Sequence, residues 1–481
     1  MALHWRTASD EGHVGASRLQ ISVDDRLVAH GVHVLAVIGC LGIGVATALV
    51  SPILALIAIA ALAIGLVCVL ATHVFGSRGL FYLALTAASA FMAMNGLRVA
   101  SWIALSDVFL AGAFLLSPMV FARRSSEGMP FSYALFGIGL LSAGAILGSL
   151  FVGGDVSSFS ALIRFVFASA GLLTLFWYWA PGERNLEPFL WIWILSATIS
   201  AVYALVLEPE TSFVRRVVGL TTHPNHLALI SVMAIGPALA FYRTKSGWSR
   251  FLAVCAICLL TNALLLSGSR AGVIGLTTTV GLFVFISRDL KSLALVAASA
   301  AALAIVIVSG SIQLNESNAL QRLLSAESSS ATASDAERRQ KLEDSFKAVE
   351  TNPITGVGLS KAREAHNIYL QVTASAGILG LAGLCIVLLS ALGIPLFKLG
   401  VKAIADSPAA FGLFLSVASY ATIGLFQNAI WDRYIWFCLA MNAAAMSSLL
   451  TAKSAQISEQ TTVPTNAGNV EDLPRFQLNQ G

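Results

Sequence analysis

The chain has 481 residues, of which 57% are apolar and 11% charged, with a net charge of +4 and a mean hydropathy of +0.80. A soluble domain carries about 25% charged residues, so lipid solvates most of this chain, and a water-soluble globular domain or a nucleic-acid partner is excluded. The charge balance decides little by itself, because in a membrane protein the placement of Lys and Arg carries the information.

Residues 1–29 mix both signs of charge with Ser and Gly, and lack the basic region, short apolar stretch and small-residue cleavage site of a signal peptide. They read as a cytoplasmic tail. Crossing the hydrocarbon takes about 20 mostly apolar residues. Stretches of that kind run over Gly31–Val50, Pro52–Ala71, Gly79–Gly96, Trp102–Phe121, Phe131–Val152, Phe159–Trp179 and Pro188–Leu207. They continue over His226–Tyr242, Phe251–Leu266, Ala271–Ile286, Ser292–Ser309, Ile368–Phe397, Ala409–Phe426 and Tyr434–Thr451. The runs are too long and too little alternating for barrel strands. The fold class is therefore an all-α polytopic membrane protein with about 12–14 transmembrane helices and one large periplasmic loop carrying an amphipathic helix.

With the amino terminus inside, cytoplasmic loops hold Arg78, Arg123, Arg124, Arg184, Arg243, Lys245, Arg250, Arg288, Lys291, Lys398 and Lys402. Apart from the long loop, the opposite side holds only Arg98, Arg215, Arg216, Arg270 and Arg433, as the positive-inside rule requires. The resulting segments are a cytoplasmic tail (1–29), helices 1–11 (30–310), the periplasmic loop (311–366), helices 12–14 (367–451) and a polar, disordered cytoplasmic tail (452–481). Trp177, Trp179, Trp191, Trp193 and Trp436 sit near span ends and read as interfacial anchors.

Within the loop, Ser328–Ser330 reads as a flexible lead-in, and Ser334-Asp335-Ala336-Glu337 matches a capping box. The helix it opens places Leu342, Phe346 and Val349 on one face, with Arg338, Arg339, Lys341, Glu343 and Asp344 on the other, until Pro353 stops it. Its apolar face is expected to lie on the membrane surface or over a cavity. The six cysteines all lie inside apolar runs, so no structural disulfide is expected. Cys255-x-x-Cys258 has no second pair and reads as packing.

Three polar segments stand at outer span ends. Arg215-Arg216 precede Gly219 and His223-Pro224-Asn225 at the start of a helix; guanidinium forks and helix N-terminal amides both suit a phosphate. Ser269-Arg270-Ala271-Gly272 puts an arginine beside small residues. His366-Asn367 follows Pro353-x-x-Gly356-x-Gly358 and leads into a span; its imidazole exchanges protons near neutral pH. An arginine at a span end also serves as a plain snorkelling anchor, but the three segments share one side. Asp107 and Arg164 lie within spans, where an ion pair is expected. Asp432-Arg433, on the last outer loop, are candidates for contact with an acceptor.

These segments, with Tyr369-Leu370 and Gly377-Ile378-Leu379-Gly380, resemble the O-antigen ligase and polymerase superfamily of integral membrane glycosyltransferases, over roughly 215–389. His223 stands where such proteins often carry Asn. The resemblance implies helices around a lateral cavity capped by the large loop, and a glycan donor carried on undecaprenyl diphosphate. It implies that Arg216 and Arg270 hold the diphosphate, with Arg215 competing for the role, and that His366 takes the proton of an acceptor hydroxyl. Asn225, Ser269, His223, Asn367 and Tyr369 are the accompanying substrate-binding candidates. No cofactor and no metal is expected. The acceptor is lipid A–core for a ligase or the growing glycan for a repeat-unit polymerase, and a polysaccharide or lipid transporter is the alternative of another class.

Overall fold

The computed structural model describes residues 76–100, 103–120, 129–152, 156–206, 216–288, 294, 329–360, 362 and 365–461. The expected spans Gly31–Val50, Pro52–Ala71 and Ser292–Ser309 (Ala294 apart) lie outside the described residues, as does Arg215. Two compact units divide the chain, Met1–Leu80 and Phe81–Gly481. The first contributes residues 76–80, which are helical; the candidate site belongs wholly to the second.

In that second unit, helix α1 (81–92) leads through a short antiparallel hairpin, Arg98–Ala100 with Ile103–Ala104, into α2 (Leu105–Val120) and α3 (Met129–Phe151). Next come α4 (Val156–Val166), a π turn at Phe167–Gly171, α5 (Leu172–Trp179) and α6 (Glu183–Val206). Three long helices follow, α7 (Pro224–Thr244), α8 (Gly247–Leu266) and α9 (Arg270–Ser287). After the loop helix α10 (Ser329–Thr351) the chain crosses again as α11 (Ile368–Leu388), a π turn (Leu389–Gly393) and α12 (Ile394–Asp406). It ends with α13 (Pro408–Ile423) and α14 (Arg433–Thr461). Eight of the described helices are long and apolar enough to cross a membrane, and two shorter apolar ones accompany them.

Between helices in lipid there is no hydrophobic drive, so close van der Waals approach of small residues holds the bundle. The α3–α11 pair shows this directly. A Cβ on Gly137 would sit 2.5 Å from the Gly383 carbonyl, one on Gly383 2.3 Å from that of Gly137, and one on Gly144 2.2 Å from that of Ala376. The α7–α13 pair repeats the device: a Cβ on Gly412 would lie 2.5 Å from Pro237, and Ser416 Oγ donates to the Met233 carbonyl at 2.6 Å.

Helix α11 is broken at Gly377, whose φ of 65° and ψ of −162° are not helical. The break frees backbone groups that the Pro353-to-Gly358 segment satisfies. Ile378 N–H donates to the Pro353 carbonyl (2.9 Å), while Val357 and Gly358 N–H donate to Ala374 and Ser375 (both 2.9 Å). The segment is wedged between two helices: Gly148 of α3 leaves no room for a Cβ against Thr355, and Gly356 none against Ser375 and Ala376. The glycine-rich stretch is therefore a backbone joint that fixes the exit of α10 onto α11.

Several expectations are corrected. The loop helix begins at Ser329, ahead of the Ser334 capping box, so Ser329 and Ser330 are helical rather than a flexible lead-in. In that helix Ser345 is buried and Arg338 and Lys341 are half-buried, whereas Leu342 and Phe346 are 37% and 51% exposed. The side of the helix that is covered is thus its polar stripe. Trp179, Trp193 and Trp436 are core residues, each under 5% exposed, not interfacial anchors; the Trp436 indole donates to Ile430 at 2.7 Å. Asp107 pairs with Arg433 at 2.5 Å instead of with Arg164. Helix α14 continues past Thr451 to Thr461, so the final tail starts as helix.

Gly377→Ala places a side chain 2.0 Å from the Ile354 carbonyl in a conformation open essentially to glycine. A loss of at least about 1–3 kcal/mol is expected from the backbone alone. Thermal unfolding of the purified protein in detergent should show a clear drop for Gly377→Ala, and none for Gly281→Ala, where a Cβ meets nothing within 4 Å.

Candidate functional site

The turns before α7, α9 and α11 lie at one end of the bundle: Arg216 bonds the first to the second, and the third meets Gly424 at the end of α13, which packs on α7. The first turn is pinned from both sides. Gly219 has φ +62° and no space for a Cβ against Ser200, whose hydroxyl accepts from Leu220 N–H at 3.0 Å. Gly96 N–H donates to the Leu220 carbonyl at 3.0 Å, and Thr222 N–H to Asn95 Oδ1 at 3.2 Å. His223 Nδ1 accepts from Asn225 N–H at 3.1 Å and so caps α7, with Pro224 at the first helical position. An Asn there would perform the same capping, which accounts for the histidine without a catalytic role.

Arg216 spans from this turn to the next. Its Nε donates to the Ser267 carbonyl at 2.7 Å and one terminal nitrogen to Asn225 Oδ1 at 2.9 Å. The second turn passes through Gly268 at φ +67°, and Ser269 caps α9 by accepting from Gly272 N–H at 3.2 Å. Arg270 is the first residue of that helix. It lines a cavity of about 330 Å³ together with Asn225, Ser269, Arg338 and Phe426.

The third turn holds His366 in the left-handed region, φ +51°. Buried Gln371 accepts from Ala365 N–H at 2.8 Å, and Ile368 N–H donates to the Gly424 carbonyl at 2.7 Å. Asn367 caps α11 through Leu370 N–H (3.0 Å) and donates to Leu425 at 3.1 Å. Tyr369 donates to the Ala421 carbonyl at 2.9 Å, which ties α11 to α13 and does not put its hydroxyl among the cavity-lining groups.

Burial, then the charges of Arg338 and Lys341, push the His366 pKa from 6.5 down to about 4, opposed by Glu337. The ring is therefore neutral near pH 7 and able to accept a proton. His223 is lowered for the same leading reason, with His226, Arg216, His366 and Arg338 adding to it.

Of the residues singled out from sequence, Asn225, Ser269 and Arg270 share the cavity, and Arg216 is bonded to one of its walls. His366 is not part of the lining but lies within the field of Arg338, which is. Arg338 and Lys341 were overlooked as ordinary solvated charges; their signal is a basic run in the one long polar loop. His226 was also missed. Its Nδ1 shares a hydrogen bond with Thr222 Oγ1 (2.8 Å), and its Nε2 lies 3.5 Å from Asp432, which accepts from Tyr434 at 3.2 Å. Gln427 is 3% exposed, with neither polar atom of its side chain bonded within the protein. Among the described residues, no group of three His, Cys, Asp or Glu is placed to hold a metal ion.

Residues 253–385 match the family model described as O-antigen ligase. The comparison with curated proteins finds no match.

Between about pH 6.5 and 4 the unfolded chain binds protons that folded His366 refuses, so stability falls as pH drops through that window. Unfolding temperatures taken from about pH 7 to 4.5 should fall more steeply for the wild type than for His366→Gln; parallel curves would contradict the assignment. Leaving a buried amide unpaired costs about 1–3 kcal/mol. Gln427→Leu should accordingly raise the unfolding temperature, and a lower one would show that the amide has a partner.

Proposed function

We propose, from the match of residues 253–385 to the O-antigen ligase family model, that the protein is a membrane glycosyltransferase moving a glycan from undecaprenyl diphosphate to an acceptor hydroxyl on the periplasmic side. The observation that carries the reading is the convergence of Arg270 and Arg338 on one cavity, with Arg216 bonded to its wall and neutral His366 alongside. The basic groups Arg243, Lys245, Arg250, Lys398 and Lys453 lie at the opposite helix ends. That distribution supports a cytoplasmic assignment for those ends and a periplasmic one for the cavity.

The chemistry follows from the charges. A diphosphate leaving group gathers negative charge in the transition state, and guanidinium groups already in position stabilise it without reorganising. Arg270 grips the phosphates, and Arg216 orients the site through Asn225. The acceptor oxygen attacks the anomeric carbon, His366 receives its proton, the bond from that carbon to the diphosphate oxygen breaks, and the lipid diphosphate departs. The acceptor in this reading is lipid A–core, which makes the protein a ligase. Gene deletion separates this from polymerase activity on the lipid carrier: ligase loss strands polymer on the carrier, and polymerase loss leaves single repeats.

Arg270→Ala should reduce glycan transfer by about 10²–10³-fold, and His366→Ala by about 10²–10⁴-fold, with normal expression and insertion. Arg270→Lys should also be severely impaired, because an ammonium cannot reproduce the bidentate fork. Transfer is read as polymer-bearing lipopolysaccharide in a deletion strain complemented with each variant. Wild-type levels for both alanine variants would reject the reading, as would a finding that the variants block movement of the lipid across the membrane and leave transfer intact.

A further inference from the structure

A second cavity, of about 370 Å³, opens at the same end of the bundle and has no part in the reading above. Its walls bring together Arg98 from the hairpin, Arg164 from α4 and Arg433 from the start of α14, with Asn95, Trp431 and Asp432. Arg164 taken alone is a snorkelling side chain, its Nε donating to the Ser160 carbonyl at 3.3 Å. Three guanidinium groups from three separate elements are not explained that way. Two carboxylates accompany them, Asp432 in the wall and Asp107, which pairs with Arg433 and also lies in the field of Arg98, so one positive charge is in excess. An excess cation at a membrane boundary favours a further anion beside it.

The remaining wall has the chemistry of a sugar site. Trp431 is held by Phe165 in an edge-to-face contact, with centroids 5.4 Å apart, which fixes the indole as a flat apolar platform. Asn95 and Asp432 offer polar groups beside it. The two cavities also share one loop, residues 424–432 with the adjoining Arg433. Phe426 lines the smaller cavity, Trp431 to Arg433 line the larger, and the unpaired, buried Gln427 lies between them in sequence. A second link runs through side chains, from Thr222 to His226 to Asp432.

We propose that this second cavity binds an anionic sugar, carboxylated or phosphorylated, of the acceptor glycan, and so sets which acceptor is used. The proposal rests on the glycosyltransferase reading for the word acceptor; the binding itself does not. The recognition is divided: Arg98 and Arg164 meet the anion, Trp431 meets the apolar face of the ring, and Asp432 and Asn95 meet hydroxyls.

The test is binding to the purified full-length chain in phosphatidylcholine nanodiscs, followed by saturation-transfer NMR. The probes are methyl glucuronide, methyl glucoside 6-phosphate and neutral methyl glucoside. Both anionic probes should bind at least about tenfold more tightly than the neutral one, the equivalent of about 1.4 kcal/mol. Arg164→Gln, at an exposed position that tolerates replacement, and Trp431→Ala should each weaken that binding about tenfold. Arg270→Ala should leave it unchanged. Equal binding of charged and neutral probes overturns the proposal, as does indifference to Arg164→Gln. Loss of binding in Arg270→Ala overturns it by assigning the anion to the first cavity. Loss in phosphatidylglycerol nanodiscs overturns it by assigning the cavity to lipid headgroups. Because no turnover is measured, a failed transferase reading leaves these outcomes distinct: sugar binding would persist while transfer assays on Arg270→Ala and His366→Ala showed no effect.

Discussion

The break of α11 at Gly377 is the constraint on which the site depends. A helix interrupted in a membrane protein leaves backbone groups that lipid cannot satisfy. Here they are satisfied by the Pro353-to-Gly358 segment, through Ile378, Val357 and Gly358 N–H groups. That docking works only because Gly148, Gly356 and Gly377 lack side chains at the points of closest approach. One consequence is mechanical. The joint anchors the end of α10, and α10 packs on α11, so Arg338 and Lys341 are delivered to His366 by rigid backbone rather than by loose loop.

Electrostatics then shape the chemistry. Burial first, and then nearby cations, lower the pKa values of His223 and His366 and keep both imidazoles neutral. In the proposed reaction the same cations would also suit the diphosphate leaving group. An anion placed among these cations would cancel part of their positive field and raise the proton affinity of His366. Arg216 plays another part: with bonds to Ser267 and Asn225 it holds two turns in register, so its loss would disturb geometry as well as charge.

The bundle beneath is built to be unyielding. Glycine contacts between α3 and α11 and between α7 and α13 permit little sliding, and buried polar bonds such as Ser416 to Met233 add direction to the packing. At the far end Glu183 accepts from Ser407 Oγ and Ala409 N–H, tying α6 to α13. A rigid scaffold of this kind suits a site whose catalytic power comes from groups already in position.

The sequence by itself determined the membrane class, the placement of most spans, and the resemblance that the family match over residues 253–385 supports. Hydropathy and charge count are local properties, so they are readable without a fold. The tertiary structure alone decided which face of α10 turns inward, because that depends on what the helix packs against and not on its own periodicity. It also decided that Trp179, Trp193 and Trp436 are core, that Asp107 meets Arg433, and that Arg98, Arg164 and Arg433 share a cavity. Those partners lie tens to hundreds of residues apart, and only the crossing of helices through the bilayer brings them within reach.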